Sequence, residues 1–210
     1  MNLMVVYTPR LKLIQLWMIG SEEEWMYTNI YLIRHAEVNF TPKDSRRPLS
    51  FKGKRDALML TELFRDYEIS RIFSSPYLRA VDTVKEIAVT KGIDIEISEN
   101  FRERKITEGY IKDFYAFTKK QWEDFDFHLE KGESINDVKR RGVIELRKIL
   151  NKYKGENIII CTHGTILTSL INNYDESCSY DFWYKLKMPD AFKLTFEEKK
   201  LIKIENILNR

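Results

Sequence analysis

Hydrophobic and polar positions along the chain follow two rhythms. Short, nearly continuous apolar runs at Asn29 to Ile33 and Asn157 to Cys161 read as buried strands, Ile69 to Ser74 reads as a short strand, and Ile93 to Ile97 alternates as a strand does. Asn157 to Cys161 is apolar almost throughout, the pattern of a central strand covered on both faces. Helical periods lie between these runs. Ser50 caps a helix to about Tyr67, with Leu58, Leu60, Leu63 and Phe64 as its apolar side. Ser74-Ser75-Pro76 opens a second helix, with Pro76 suited to its first turn, that continues to about Thr90 and stops at Gly92. Ser134, followed three residues later by Asp137, is a capping box with Asp in place of Glu or Gln, and predicts a helix from Ile135 to about Tyr153. His163-Gly164 opens a last helix, Thr165 to about Asn172. Ala191 to Phe196 and Leu201 to Ile207 alternate around Glu198-Lys199 and predict a C-terminal β-hairpin. Strand and helix in alternation predict an α/β fold: a three-layer α/β/α sandwich with a mainly parallel central sheet.

Two segments carry a less regular pattern. Asn39 to Pro48 holds two prolines, Asp44, Ser45 and the pair Arg46-Arg47, and is predicted to be a loop. Glu108 to Lys131 reads as a long helical stretch rich in aromatics: Tyr110, Phe114, Tyr115, Phe117, Trp122, Phe125 and Phe127. These rings fit either helices packing on a core or a wall beside a site whose faces choose a ligand's organic part.

Met1 to Trp25 differs from the rest. Its apolar run, Leu13 to Ile19, is too short to span a membrane and lacks the flanks of a secretory signal. Glu22-Glu23-Glu24-Trp25 before Met26 needs purine-rich codons, as a translated ribosome-binding site would. Residues 1–25 are therefore expected to be a non-native or disordered extension, and residues 26–210 one domain.

The chain has 210 residues, a net charge of +3 and basic residues interspersed with acidic ones, which argues against nucleic acid as the main partner. Its two cysteines, Cys161 and Cys178, have no metal-ligand spacing, and a reduced Cys161 at a strand end fits a cytoplasmic protein. No convincing carboxylate cluster for a metal is visible, and no cofactor motif.

Two of the three histidines close apolar strands, in Arg34-His35-Ala36-Glu37 and in Thr162-His163-Gly164. Ligand chemistry in open α/β sheets collects at the carboxyl ends of strands. Arg34, His35, Arg79, Glu103 and His163 all fall at strand ends, turns or first helical turns. Two guanidiniums and two imidazoles converging there make a cationic pocket suited to a tetrahedral phosphate, aided by the helix start at Gly164.

These blocks, with Ser74-Ser75-Pro76-Tyr77-Leu78-Arg79-Ala80, Phe101-Arg102-Glu103 and Gly132-Glu133-Ser134, fall in the order seen in the histidine phosphatase superfamily. The chain resembles that phosphoglycerate mutase-like group, in its branch of bacterial phosphatases and mutases, from Tyr27 to about Ile207. The resemblance implies His35 as the nucleophile that is transiently phosphorylated, Arg34 and Arg79 as phosphate-binding arginines, His163 as the second pocket histidine, which holds the phosphoryl group in its transition state, and Glu103 as the acid that protonates the leaving oxygen; Gly164 joins the phosphate-binding residues through its helix start. The implied activity is metal-independent hydrolysis of a small phosphorylated metabolite, with mutase transfer or a non-catalytic phospho-ligand binder as alternatives.

Departures from the family pattern bear on the substrate. Val38 replaces the usual hydroxyl residue, Asn39 is out of register, and Arg46-Arg47-Pro48 replaces a Gln-Gly pair. The core is short and lacks a long basic insertion for a second phosphate, so phosphatase ranks above mutase. Asn39, Arg46 and Arg47 are the candidates for substrate specificity. His128, on the aromatic stretch, is expected at the surface or in packing.

Overall fold

The computed structural model describes residues 26–41, 45–108 and 111–208. The expected extension 1–25, Tyr110 of the aromatic stretch, and Asp44 lie outside the described residues.

Six strands form one sheet: β1 (Tyr27–Arg34), β2 (Arg71–Ser74), β3 (Ile95–Ile97), β4 (Asn157–Thr162), β5 (Asp190–Glu197) and β6 (Lys200–Asn206). Their order is β3-β2-β4-β1-β5-β6. β3, β2, β4 and β1 pair in parallel, whereas β5 runs antiparallel to both β1 and β6. The sheet is thus mainly parallel with the expected hairpin at one edge. β4 and β1 sit in the middle, which explains their unbroken apolar runs: each is covered from both sides.

Helices fill the two outer layers. α1 (Phe51–Leu63) and α2 (Leu78–Lys91) cover one face, where Leu60, Phe64, Ala80, Val84 and Ile87 pack on Tyr31, Ile33, Ile159 and Cys161. α4 (Ile135–Lys152) and α5 (Gly164–Asn172) cover the other, where Val138, Leu146, Ile166 and Leu170 pack on Ile30, Leu32, Ile158 and Ile160. The alternation of Ile158 to Cys161 between the two cores is the strand's period of two made visible. Cys161 is buried and its thiol is pushed up by that burial.

The expected elements are present, with differences at their edges. The Ser134–Asp137 capping box of α4 is formed in both directions. Gly92 ends α2 in the left-handed conformation at φ 65°. α1 ends earlier than expected, with Phe64 as its C-cap, and Leu58 is exposed. The inward stripe runs instead through Gly53, Ala57, Leu60 and Phe64. A Cβ on Gly53 would fall 2.0 Å from the Glu37 carbonyl oxygen, so only glycine lets α1 approach the chain just after His35 this closely. Pro76 precedes the N-cap Tyr77 of α2 rather than sitting in its first turn.

The largest correction concerns the aromatic stretch. Among its described residues it is not one long helix: only α3 (Phe114–Glu123) is helical, capped by the Asp113 side chain. Trp122 is buried, as core packing requires, while Phe114 and Tyr115 are exposed. They meet Trp183 on α6 (Tyr180–Lys185), a short helix that the hydrophobic pattern did not reveal. His128 is exposed, with Nδ1 3.0 Å from the Leu129 carbonyl.

Candidate active site

β1 and β4 are parallel neighbours in register, with Arg34 opposite Thr162. Their chains leave the sheet side by side, and the His35 N–H donates to the Thr162 carbonyl at 2.9 Å. His35 and His163, distant in sequence, therefore come together, with ring centroids 5.1 Å apart. β2 ends beside them: the Ser75 N–H donates to the Cys161 carbonyl at 2.9 Å, and α2 then carries Arg79 inward.

His35 is held by two partners of fixed polarity. Its Nδ1 lies 2.7 Å from the Ala36 carbonyl oxygen, which can only accept. Its Nε2 receives the Arg79 Nε–H at 3.2 Å, a group that can only donate. The proton is thus on Nδ1 and a lone pair is on Nε2. Burial pushes the imidazole down to about 3, and the Arg79 charge adds to this while the Ala36 hydrogen bond opposes it. The ring is neutral at neutral pH. Thr83 secures the turn, accepting from the Ala36 N–H at 2.9 Å and donating to the Arg79 carbonyl at 2.6 Å.

Arg34 donates from Nη1 to the Leu186 carbonyl at 2.6 Å, and its buried Nε has no partner among the described residues. Burial works against its charge, whereas Glu103 and Asp190 favour it. A Cβ on Gly164 would come within 3.4 Å of the Arg34 guanidinium carbon and 3.3 Å of the Trp183 indole nitrogen. Glycine at the first position of α5 leaves room for that guanidinium against the helix start. His163, the N-cap residue of α5, is wholly buried. Its Nε2 lies 2.7 Å from the Ser75 hydroxyl, and its Nδ1 has no partner among the described residues. Burial, then the His35 and Arg79 neighbours, hold its pKa well below the usual value.

Glu103 stands on the turn after a short 3₁₀ segment, Glu99–Phe101. Its carboxylate accepts from the Arg104 N–H at 2.8 Å and from the Thr165 N–H, in the first turn of α5, at 3.1 Å. It also supports the charges of Arg34, Arg79 and Arg104, so one carboxylate faces three guanidiniums. The turn is clamped from behind by Glu133. That carboxylate accepts from Arg102 Nη2 at 2.8 Å, Arg141 Nε at 2.9 Å and the Lys105 N–H at 2.8 Å. Burial would raise Glu133, but the Arg102 and Arg141 hydrogen bonds prevail and hold it at about 2. The Glu133 N–H returns a bond to the Lys105 carbonyl at 2.7 Å. Gly132-Glu133-Ser134 thus fastens the Glu103 turn to the start of α4.

The structure brings Arg34, His35, Arg79, Glu103, His163 and Gly164 into one cluster. It does not bring all three specificity candidates there. Asn39 and Arg46 are exposed on the loop, whereas Arg47 is partly buried beside Phe40, and its charge reaches His35 and Arg79. Sequence reasoning missed Ser75 as the partner of His163, and Trp183 and Arg104 as walls. Arg104 is buried, donates to Thr118 Oγ1 at 2.9 Å and lies near the rings of Phe114, Phe117 and Trp183. Among the described residues no three His, Cys, Asp or Glu side chains gather as a metal site, and no helix is long and apolar enough to cross a membrane.

A buried, neutral imidazole with its lone pair facing a guanidinium, beside a second imidazole and a second guanidinium, can receive an electrophilic phosphorus centre. Several known proteins are similar to this chain. "Phosphoglycerate mutase-like protein 4" of Arabidopsis thaliana is 27% identical over 168 residues, covering 71% of this chain and 72% of the relative. A mycobacterial glucosyl-3-phosphoglycerate phosphatase shares the fold with a TM-score of 0.69 at 16% identity, covering 86% of this chain and 97% of the other. Bacillus stearothermophilus YhfR does so with a TM-score of 0.69 at 22% identity, covering 83% and 94%. The sequence model of the histidine phosphatase superfamily (branch 1) matches residues 30–199, which contain every residue of the cluster, and the chain belongs to that superfamily.

Proposed function

We propose that the protein is a cytoplasmic, metal-independent phosphomonoesterase that works through a phosphohistidine on His35 Nε2. The observation that carries this reading is the pairing of His35 Nε2, a buried lone pair, with Arg79, next to Arg34 and His163. Binding of a phosphomonoester draws the Arg79 N–H from Nε2 onto a phosphoryl oxygen and frees the lone pair. Nε2 then attacks phosphorus, the bond to the ester oxygen breaks, and Glu103, having first taken the proton that the phosphomonoester monoanion carries in, gives it to that oxygen. Arg34, Arg79, His163 and the Gly164 helix start stabilise the charge on the equatorial oxygens. In the second half, water attacks phosphorus, Glu103 takes its proton, and the P–N bond breaks to release phosphate and neutral His35.

Mutase transfer is the second reading, favoured by the names of relatives such as phosphoglycerate mutase-like protein 4. It differs only in what the phosphohistidine meets next. A small phosphorylated metabolite is the proposed substrate of either. The test is hydrolysis of p-nitrophenyl phosphate in EDTA by the protein and by His35→Ala. Turnover that persists in EDTA and is lost in the variant supports the phosphatase; transfer between phosphoglycerates without net phosphate release supports the mutase. No turnover of any phosphoester contradicts both.

A further inference from the structure

Ser75 has no chemical part in the reaction above, yet it is wholly buried with its hydroxyl on His163. The partner of a neutral imidazole decides which ring nitrogen carries the proton. For His35 the partners leave no choice. For His163 the partner is a hydroxyl, which can donate or accept, so the rest of the network must decide.

The Ser75 oxygen also accepts the Tyr77 N–H, at 3.3 Å. Two arrangements are open. In one, His163 Nε2–H donates to Ser75. The oxygen then accepts twice, and among the described residues its own hydrogen has no acceptor and the buried Nδ1 lone pair no donor. In the other, the Ser75 hydroxyl donates to Nε2. Every group on Ser75 is then used, and only the Nδ1–H of His163 is left over. Two unsatisfied buried groups cost more than one, so the second arrangement is favoured. The pKa of His163, held well below its usual value, keeps the ring neutral so that a single tautomer is the issue.

We propose that Ser75 is a positioning residue: by donating to His163 Nε2 it fixes the proton on Nδ1 and so makes that nitrogen a hydrogen-bond donor for the transferring phosphoryl group. The opposite tautomer would turn a lone pair toward phosphoryl oxygens and repel them. His163 acts without gaining or losing a proton, as a preset dipole whose orientation is imposed from behind. The final clause of this assignment rests on the phosphatase reading, whereas the tautomer itself does not.

The two are separable by experiment. Nitrogen-15 and proton NMR of labelled protein reads the ring nitrogens directly, the His163 signals being those that disappear in His163→Gln. Only His35 and His128 share the spectrum with it. The expected result is a protonated, pyrrole-type Nδ1 and a pyridine-type Nε2 without any substrate. A protonated Nε2 overturns the assignment, even in an active phosphatase. Absence of phosphomonoester turnover would leave the tautomer standing and remove the reaction. In Ser75→Ala the two nitrogens should average, kcat should fall about tenfold or more, and KM should change little. Ser75→Cys, with a weak S–H donor of similar size, should fall between. An unchanged tautomer and kcat in Ser75→Ala overturn the proposal.

Discussion

Glu103→Gln separates leaving-group protonation from every other service of the site. Glu103 accepts from two backbone N–H groups, one on each oxygen, at 2.8 and 3.1 Å. Glutamine keeps one acceptor and must turn its NH2 toward the other donor, that of Arg104 or Thr165. A donor facing a donor costs about 1–3 kcal/mol of stability. Loss of general acid catalysis costs a factor of about 10²–10⁴ where the leaving group needs a proton. An alkyl phosphate therefore loses that factor in kcat, whereas p-nitrophenyl phosphate, whose leaving group departs unprotonated, loses about tenfold or less through local disturbance. The assay is kcat for an alkyl and an aryl phosphomonoester in wild type, Glu103→Gln and Glu103→Ala. Alanine leaves two unpaired N–H groups in place of the donor clash, so its structural disturbance differs while its acid deficit is the same. The alkyl-to-aryl ratio should fall equally in both variants. Equal losses on both substrates would refute the acid role and reduce Glu103 to a counter-charge for the three arginines.

Other expectations follow from single contacts. Glu133→Ala leaves Arg102 and Arg141 without their shared carboxylate; their partial exposure places the cost near about 2–3 kcal/mol, a fall of roughly 5–10 °C in Tm by calorimetry. An unchanged Tm contradicts the clamp. Gly164→Ala puts a methyl 3.3 Å from the Trp183 indole nitrogen and 3.4 Å from the Arg34 guanidinium carbon, and inhibition by inorganic phosphate should weaken about 3- to 10-fold. On pH, the native His35 pKa of about 3 lies below the ordinary 6.5, and His163 is lowered as well. The unfolded chain therefore takes up protons first as pH falls. Stability should drop as pH falls from about 6.5 toward 5, by up to about 1 kcal/mol per unit from His35 and with a further fall of the same sign from His163, measured by urea denaturation. A flat profile in that window contradicts their burial as neutral groups.

Much of this site is written in strand endings. β1 and β4 are β-branched runs that stop at Arg34-His35 and Thr162-His163, and parallel pairing in register then places those endings together. The Ser134–Asp137 box, the Gly92 stop and the C-terminal hairpin are legible for the same local reason: capping and turn chemistry act over a few residues. What escaped depends on distant partners. α6 is six residues long, too short for a period to show. Between residues 108 and 131 the rings are dense enough to imitate a helical face, but among the described residues only Asp113 supplies a cap and only ten residues follow it as helix. Arg104 reads as a surface charge until Thr118 and the rings of α3 and α6 enclose it. Leu58 was misplaced because the true stripe of α1 uses Gly53 and Ala57, whose small side chains contribute little hydrophobic signal.

The covalent bond at His35 Nε2 is most directly tested by rapid quenching with a phosphomonoester labelled on phosphorus, followed by peptide mapping. The account predicts a label that survives base, is lost in acid, maps to His35 and is absent in His35→Ala. Full turnover with no such label on His35 would contradict it.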